Sequence, residues 1–168
     1  AIPATHLLTK KDIIYRCEAA DIEMIVAAAD DNVIKHVNDS EAECPTLKTK
    51  ILVDGQAKGW VEYTSELANT SSDFTPPQGD DAAKKDDMML LYFTSGTTGM
   101  PKMVQHNFTY PLGHIMTAKY WQNVVEGGLH LTVADTGWAK AMWGKIYGQW
   151  LCGSAVFVYD MEKFVPKT

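Results

Sequence analysis

Basic charge, paired cysteines and long apolar runs are scarce in this sequence of 168 residues, and each shortage removes a class of function. Fifteen Lys and Arg stand against 21 Asp and Glu, a net charge of −6. That acidic excess is the opposite of a nucleic-acid footprint and fits a surface kept soluble by charge. Cys17, Cys44 and Cys152 are an odd, scattered set without a Cys-x-x-Cys pair, so reduced thiols are expected. His6, His36, His114 and His130 add no ligand spacing, and the sequence predicts no structural zinc and no metal site built from side chains. No apolar run approaches the ~20 residues that cross a bilayer, and no basic region precedes an apolar core at the amino terminus. A soluble, cytoplasmic protein is the expectation. Gly-x-Ser-x-Gly is missing, so no Ser/His/Asp hydrolase is indicated, and there is neither an internal repeat nor a low-complexity segment.

What remains is an ordinary globular composition, 46% apolar and 21% charged, in a chain long enough for one domain and short for two. Thr9 and Asp12, three apart, resemble a capping box and predict a helix burying Ile13, Cys17 and Ala20, with Arg16 and Glu18 elsewhere. Met24 to Ala28 predicts a short buried strand, Asp30 to Asn38 a helix with Val33 and Val37 inward, and Ile51-Leu52-Val53 a strand closed by Asp54-Gly55. Val61 to Leu67 is expected to be helical. The alternation is that of an α/β protein. Residues 69–87, with five aspartates and two prolines, are expected to form an exposed connection. Asp80-Asp81 and Asp86-Asp87 bracket Lys84-Lys85, which reads as a solvated charged loop rather than a metal site.

Between two apolar segments, Met88 to Phe93 and Met103 to His106, lies Thr94-Ser95-Gly96-Thr97-Thr98-Gly99-Met100-Pro101-Lys102. Glycines free the backbone so that successive N–H groups can converge on an anion, hydroxyls add donors and Lys102 adds charge. Pro101 directly before the lysine removes an N–H and separates the loop from the Walker A pattern. An open, phosphate-handling hairpin between two strands is the prediction. The plain alternative is a polar hairpin with no ligand.

Downstream, Pro111 suits the first turn of a helix capped at Thr109 or Tyr110, carrying His114 and ending near Trp121. After Gly127-Gly128, residues 129–134 alternate as a strand, with Leu129, Leu131 and Val133 on one side and His130 and Thr132 on the other. Trp138 to Leu151 has helical spacing, with Met142, Ile146 and Trp150 in one row and Trp143, Tyr147 and Leu151 in the next. Gly144 and Gly148 each cost that helix about 1 kcal/mol relative to alanine, so close packing against a strand or a ligand is expected there. Ala155 to Tyr159 is expected to be the last strand.

The loop at 94–102 resembles the signature loop of the AMP-forming adenylating enzymes, which comprise acyl-CoA synthetases, luciferases and the adenylation domains of peptide synthetases. Asp135-Thr136-Gly137-Trp138-Ala139-Lys140 is similar to a segment of the medium-chain acyl-CoA synthetases, and Ile2-Pro3-Ala4-Thr5 with Lys11-Asp12-Ile13 also resembles that group. The resemblance implies residues 1–168 to be part of the layered α/β N-terminal domain, a mostly parallel sheet flanked by helices. It implies activation of a carboxylic acid by ATP, with Mg2+, to an acyl-adenylate that acylates coenzyme A. Thr94, Ser95, Gly96, Thr97, Thr98, Gly99 and Lys102 would hold the phosphates that leave as pyrophosphate, and Lys102 would act in catalysis. Trp138 would stand near the carboxylate and the pantetheine tunnel, against the alternative of a core tryptophan. Met142, Trp143 and Gly144 would line the acyl tunnel or belong to the core, and His106 would neighbour the substrate or simply end a strand.

The family's Tyr-Gly-x-Thr-Glu and Thr-Gly-Asp segments and its C-terminal domain with its lysine have no counterpart here. The chain is therefore expected to be a piece of such an enzyme, inactive by itself. An adenylating domain for another acid or a carrier protein, and a non-catalytic nucleotide-binding module, are the competing readings.

Overall fold

The computed structural model describes residues 1–95 and 99–159. They divide into two compact units, one spanning His6–Pro77 and the other combining Ala1–Thr5 with the chain from Gln78 onward.

The His6–Pro77 unit begins with α1 (Lys10–Ala20), where both the backbone N–H and the hydroxyl of Thr9 donate to Asp12 Oδ2, at 3.0 and 2.6 Å. The Thr9 hydroxyl thereby holds the Asp12 carboxyl below its ordinary range. Ile13 and Cys17 are buried as their spacing predicts, and Ala20 is half-buried. β1 (Met24–Ala28) leads to α2 (Asp31–Ser40), capped by Asp30, whose carboxylate accepts from the Asn32 and Val33 N–H groups. β2 (Thr49–Val53) and β3 (Val61–Glu62) complete a parallel sheet in the order β1-β2-β3. Ala27 pairs with Leu52 and Ile51 with Val61. The core joins Ile13, Cys17, Val37 and Cys44, with Ile25, Val33 and Trp60 packed around them.

Two expectations are corrected in this unit. β1 is a strand but not a buried one: Met24 and Val26 are 53% and 57% exposed, because among the described residues the helices cover only the Ile25 and Ala27 side. The segment at 61–67 is not one helix. Val61–Glu62 extends to pair with β2, and α3 (Tyr63–Asn69) starts where the Glu62 carboxylate accepts from the Thr64 and Ser65 N–H groups. Residues 69–87 are exposed except for half-buried Ala82.

The other unit is built on an antiparallel hairpin, β4 (Met88–Thr94) and β5 (Lys102–Asn107). α4 (Tyr110–Tyr120) comes next, with Thr109 at its cap and Pro111 in its first turn. β6 (Leu129–His130) pairs in parallel with β7 (Ala155–Val156). Both strands are shorter than expected. Residues 129–134 keep the alternation, but with its apolar side outward: Leu129, Leu131 and Val133 are exposed, while His130 and Thr132 are half-buried.

The expected helix from 138 to 151 is interrupted. α5 (Ala139–Ala141) passes into a π-turn at Met142–Ile146 before α6 (Tyr147–Leu151). A π-turn adds a residue per turn and rotates the helix beyond it, which breaks the two predicted apolar rows. Gly148 sits against α4, where an added Cβ would lie 2.6 Å from the His114 carbonyl oxygen and 2.7 Å from Ala118 Cβ. The close packing expected of this stripe is thus against a helix at Gly148. Among the described residues no helix is long and apolar enough to cross a membrane.

Candidate functional site

The hairpin register pairs Phe93 with Met103 and Thr94 with Lys102, so the two ends of the loop close on one another. The Thr94 hydroxyl points toward the Lys102 carbonyl oxygen at 3.4 Å, at the limit of a hydrogen bond. Ser95, Gly99 and Lys102 are exposed, and among the described residues no carboxylate lies within ion-pair distance of the Lys102 ammonium. Gly99 has φ +96°, a conformation L side chains rarely adopt, and an added Cβ there would meet nothing within 4 Å. This glycine is required by the turn. Gly96, Thr97 and Thr98 lie outside the described residues. The described part offers a cation with no carboxylate partner among the described residues, and hydroxyls at a paired strand end, the donor set an anion needs.

Beneath the hairpin runs a chain of rings. His106 on β5 lies 5.6 Å from Tyr92 on β4 and 4.1 Å from Tyr110 on α4, between ring centroids. Tyr110 meets His114 edge-on at 4.5 Å, and His114 stacks at 6.0 Å on Trp143, which stacks at 5.7 Å on Trp121. Tyr147 closes on Tyr110 at 6.1 Å. Tyr92 is 3% exposed and its hydroxyl has no hydrogen-bond partner among the described residues. Burial, and then the neighbouring Tyr110, pushes the Tyr92 phenol well above its ordinary pKa; burial likewise raises Tyr110 and Tyr147. Burial, and then His106, lowers His114 from 6.5. Tyr92, Tyr110, Tyr147 and His114 are accordingly neutral around pH 7, and the rings together form a packed support joining β4, β5 and α4 to the π-turn.

That support absorbs several of the residues singled out in the sequence. His106 and Trp143 are members of the stack. Gly144 is buried, and its carbonyl oxygen accepts from Gln122 Nε2 at 3.3 Å, from Gln149 Nε2 at 3.0 Å and from the Thr132 hydroxyl. Met142 is half-buried. Trp138 differs from all of these: it is 63% exposed in extended backbone ahead of α5.

The turn bearing Trp138 is organised by Asp135. Its Oδ1 accepts from the Gly137 N–H at 2.7 Å, its Oδ2 accepts from the Thr5 hydroxyl at 2.7 Å, and its carbonyl oxygen accepts from the Trp138 N–H at 3.0 Å. Gly137 faces the backbone of Ala4 and Thr5, where an added Cβ would lie 2.0 Å from the Thr5 nitrogen.

Sequence reasoning missed Tyr92, Tyr110, Tyr147, Asp135 and Thr5 as parts of this assembly. Tyr110 with His114, four apart, carried a local signal of ring packing on a helix face. The contacts of Tyr92 and Thr5 are long-range and left no periodic trace.

A family model described as AMP-binding enzyme matches residues 1–167. The chain belongs to the AMP-binding enzyme family. The resemblance drawn from residues 94–102 and 135–140 is borne out at that level. Among relatives of this AMP-binding chain, acyl-coenzyme A synthetase ACSM4, mitochondrial, of Rattus norvegicus is 37% identical over 99% of the chain and 28% of its own length. Acyl-coenzyme A synthetase ACSM5, mitochondrial, of Homo sapiens is 35% identical over the same shares. The chain thus spans about 28% of the length of these curated relatives. Among solved structures, that of the anthranilate CoA ligase AuaEII in complex with anthranoyl-AMP matches with a TM-score of 0.76 at 17% identity, over 90% of this chain and 29% of that one. The likeness shows the fold: α/β, with parallel strands flanked by helices.

Proposed function

We propose that this chain is the phosphate-loop portion of a longer ATP-dependent acyl-CoA synthetase, which converts a fatty or other carboxylic acid, ATP and coenzyme A to acyl-CoA, AMP and pyrophosphate. The observation that carries the reading is the signature hairpin, with an exposed Lys102 opposite Thr94 that has no carboxylate partner among the described residues, in a chain matched along its length by the AMP-binding enzyme model. The relatives named acyl-coenzyme A synthetases support the choice of acid and thiol.

In this reading Thr94, Ser95 and Lys102, with Gly96, Thr97, Thr98 and Gly99, hold the β- and γ-phosphates. The chain's task is to place them and to offset the charge that builds as pyrophosphate leaves. Among the described residues no cluster of three or more His, Cys, Asp or Glu could hold a metal. Mg2+ would come with the nucleotide phosphates and supply further charge neutralisation there. Trp138 is the residue offered to the acid and the pantetheine arm, because it alone of the tryptophan and glycine candidates stays clear of the packed ladder. The remaining segments of the active site would come from elsewhere in the longer enzyme, so residues 1–168 alone are inactive. Reduced thiols suit either the cytoplasm or the mitochondrial location named for the relatives.

The test is carboxylate-dependent exchange of labelled pyrophosphate into ATP by the full-length enzyme. Lys102→Ala is expected to slow exchange by about 100-fold, the scale of one lost oxyanion-type donor, while leaving the unfolding midpoint unchanged. Exchange at the wild-type rate would remove Lys102 from the site.

A further inference from the structure

The first five residues belong to the same compact unit as the hairpin, although 72 residues of chain separate Thr5 from Gln78. Both of their ends are anchored. The Ala1 amino group donates to the Met89 carbonyl oxygen at 2.9 Å, and the Leu91 N–H donates to the Ala1 carbonyl oxygen at 2.9 Å, so Ala1 is laid alongside β4. Within a longer chain that amino group would be a peptide N–H, which still donates, as a neutral donor. β4 runs on to Thr94, the first residue of the phosphate loop. At the other end Thr5 grips Asp135, and Asp135 in turn holds the N–H groups of Gly137 and Trp138.

The arm between these anchors is stiff. Pro3 fixes its own φ and confines Ile2 to extended backbone. Gly137 has been reduced to bare backbone where the arm crosses it, since any side chain would strike Ala4 and Thr5. Asp135 is half-buried, and its two carboxylate oxygens each take one donor, one from the arm and one from the turn. Charge-assisted bonds in a partly dehydrated site are stronger than neutral exposed ones.

We propose, building on the acid-side reading of Trp138, that residues 1–5 are a positioning strap, through which Thr5 and Asp135 set the Trp138 turn against the strand that carries the phosphate loop. Neither Thr5 nor Asp135 touches a reactant. They hold the acid-side aromatic at a fixed place relative to the nucleotide grip, so their loss loosens selection of the acid while the grip on ATP stays intact.

The experiment uses the full-length enzyme with Thr5→Val, which keeps the shape and removes the donor, Thr5→Ser, which restores it, and Trp138→Ala. Pyrophosphate exchange is followed across a series of straight-chain acids, and hydrogen exchange at the Gly137 and Trp138 amides is followed in parallel. Thr5→Val is expected to raise the KM for the preferred acid about fivefold, a fraction of what a hydrogen bond to a charged group is worth. It should also flatten the chain-length profile, leave the KM for ATP within about twofold and speed amide exchange in the turn, with Thr5→Ser reversing all of these. Unchanged amide exchange, or equal rises in both KM values, would overturn the strap. A shift with Trp138→Ala but none with Thr5→Val overturns the strap and leaves the acid-side reading standing. No shift with either variant overturns both.

Discussion

The β4–β5 hairpin and the broken helix at 139–151 are neighbours in one compact unit, yet their glycines and polar groups do opposite work. On the hairpin, an added Cβ at Gly99 would meet nothing within 4 Å among the described residues, and Lys102 faces solvent with no carboxylate partner among them. On the helix, Gly148 is closed against α4, and Gln149, fully buried, spends its amide nitrogen on Gln122 and the Gly144 carbonyl oxygen. Groups kept free of protein partners are available to a ligand; groups consumed by packing hold the scaffold that presents them. Substitutions should therefore separate activity from stability along this line.

The strongest blow to the helix is Gly148→Val. Its new atoms meet the His114 carbonyl oxygen and Ala118 head-on, and a loss of about 3 kcal/mol is expected from overpacking of this kind. Chemical denaturation would show it as a lower midpoint at unchanged slope, and a variant as stable as the parent would mean that the two helices do not approach so closely. Gly113→Ala is the counter-case on the opposing helix, because an added Cβ at Gly113 meets nothing within 4 Å. Helix propensity alone should then act, raising stability by about 0.5–1 kcal/mol. A loss instead would place a neighbour against that face.

The smallest expected effect is a pH dependence at His114. Burial lowers its folded pKa from 6.5, so the unfolded chain binds the proton more readily. The stability tied to the neutral ring is complete above pH 6.5 and is lost as pH falls from there through the lowered folded value. Denaturation midpoints measured downward from pH 7 should show this slope, and His114→Gln should reduce it. Equal slopes in both would mean that the ring is not held neutral.

How much could be read beforehand depended on whether the deciding contact was local. The hairpin, α1, α2 and α4 were legible because their signals lie within a few residues: Thr9 with Asp12, Asp30 ahead of Val33, Pro111 after Thr109, and a glycine-rich turn between apolar segments. The family resemblance was likewise read from compact motifs, at 94–102 and 135–140, within the residues 1–167 that the family model matches. The exposed side of the strand at 24–28 and the outward apolar side of residues 129–134 were not legible, because periodicity tells which residues share a face and not what covers it. The π-turn escaped as well. Gln122 and Thr132, which satisfy the Gly144 carbonyl oxygen beside Gln149, stand 22 and 12 residues away in the chain.

By itself the sequence determined the family, several local elements and the residues proposed to grip phosphate, since each of these is written in short-range spacing and residue chemistry. Tertiary structure alone decided which aromatic and glycine residues are scaffold. It left Trp138 exposed while enclosing Trp143, it closed Gly148 against α4, and it brought Thr5 across 130 residues of chain to Asp135. The physical reason is that packing and long-range hydrogen bonds are chosen by what the folded chain brings together, and no window along the sequence contains both partners.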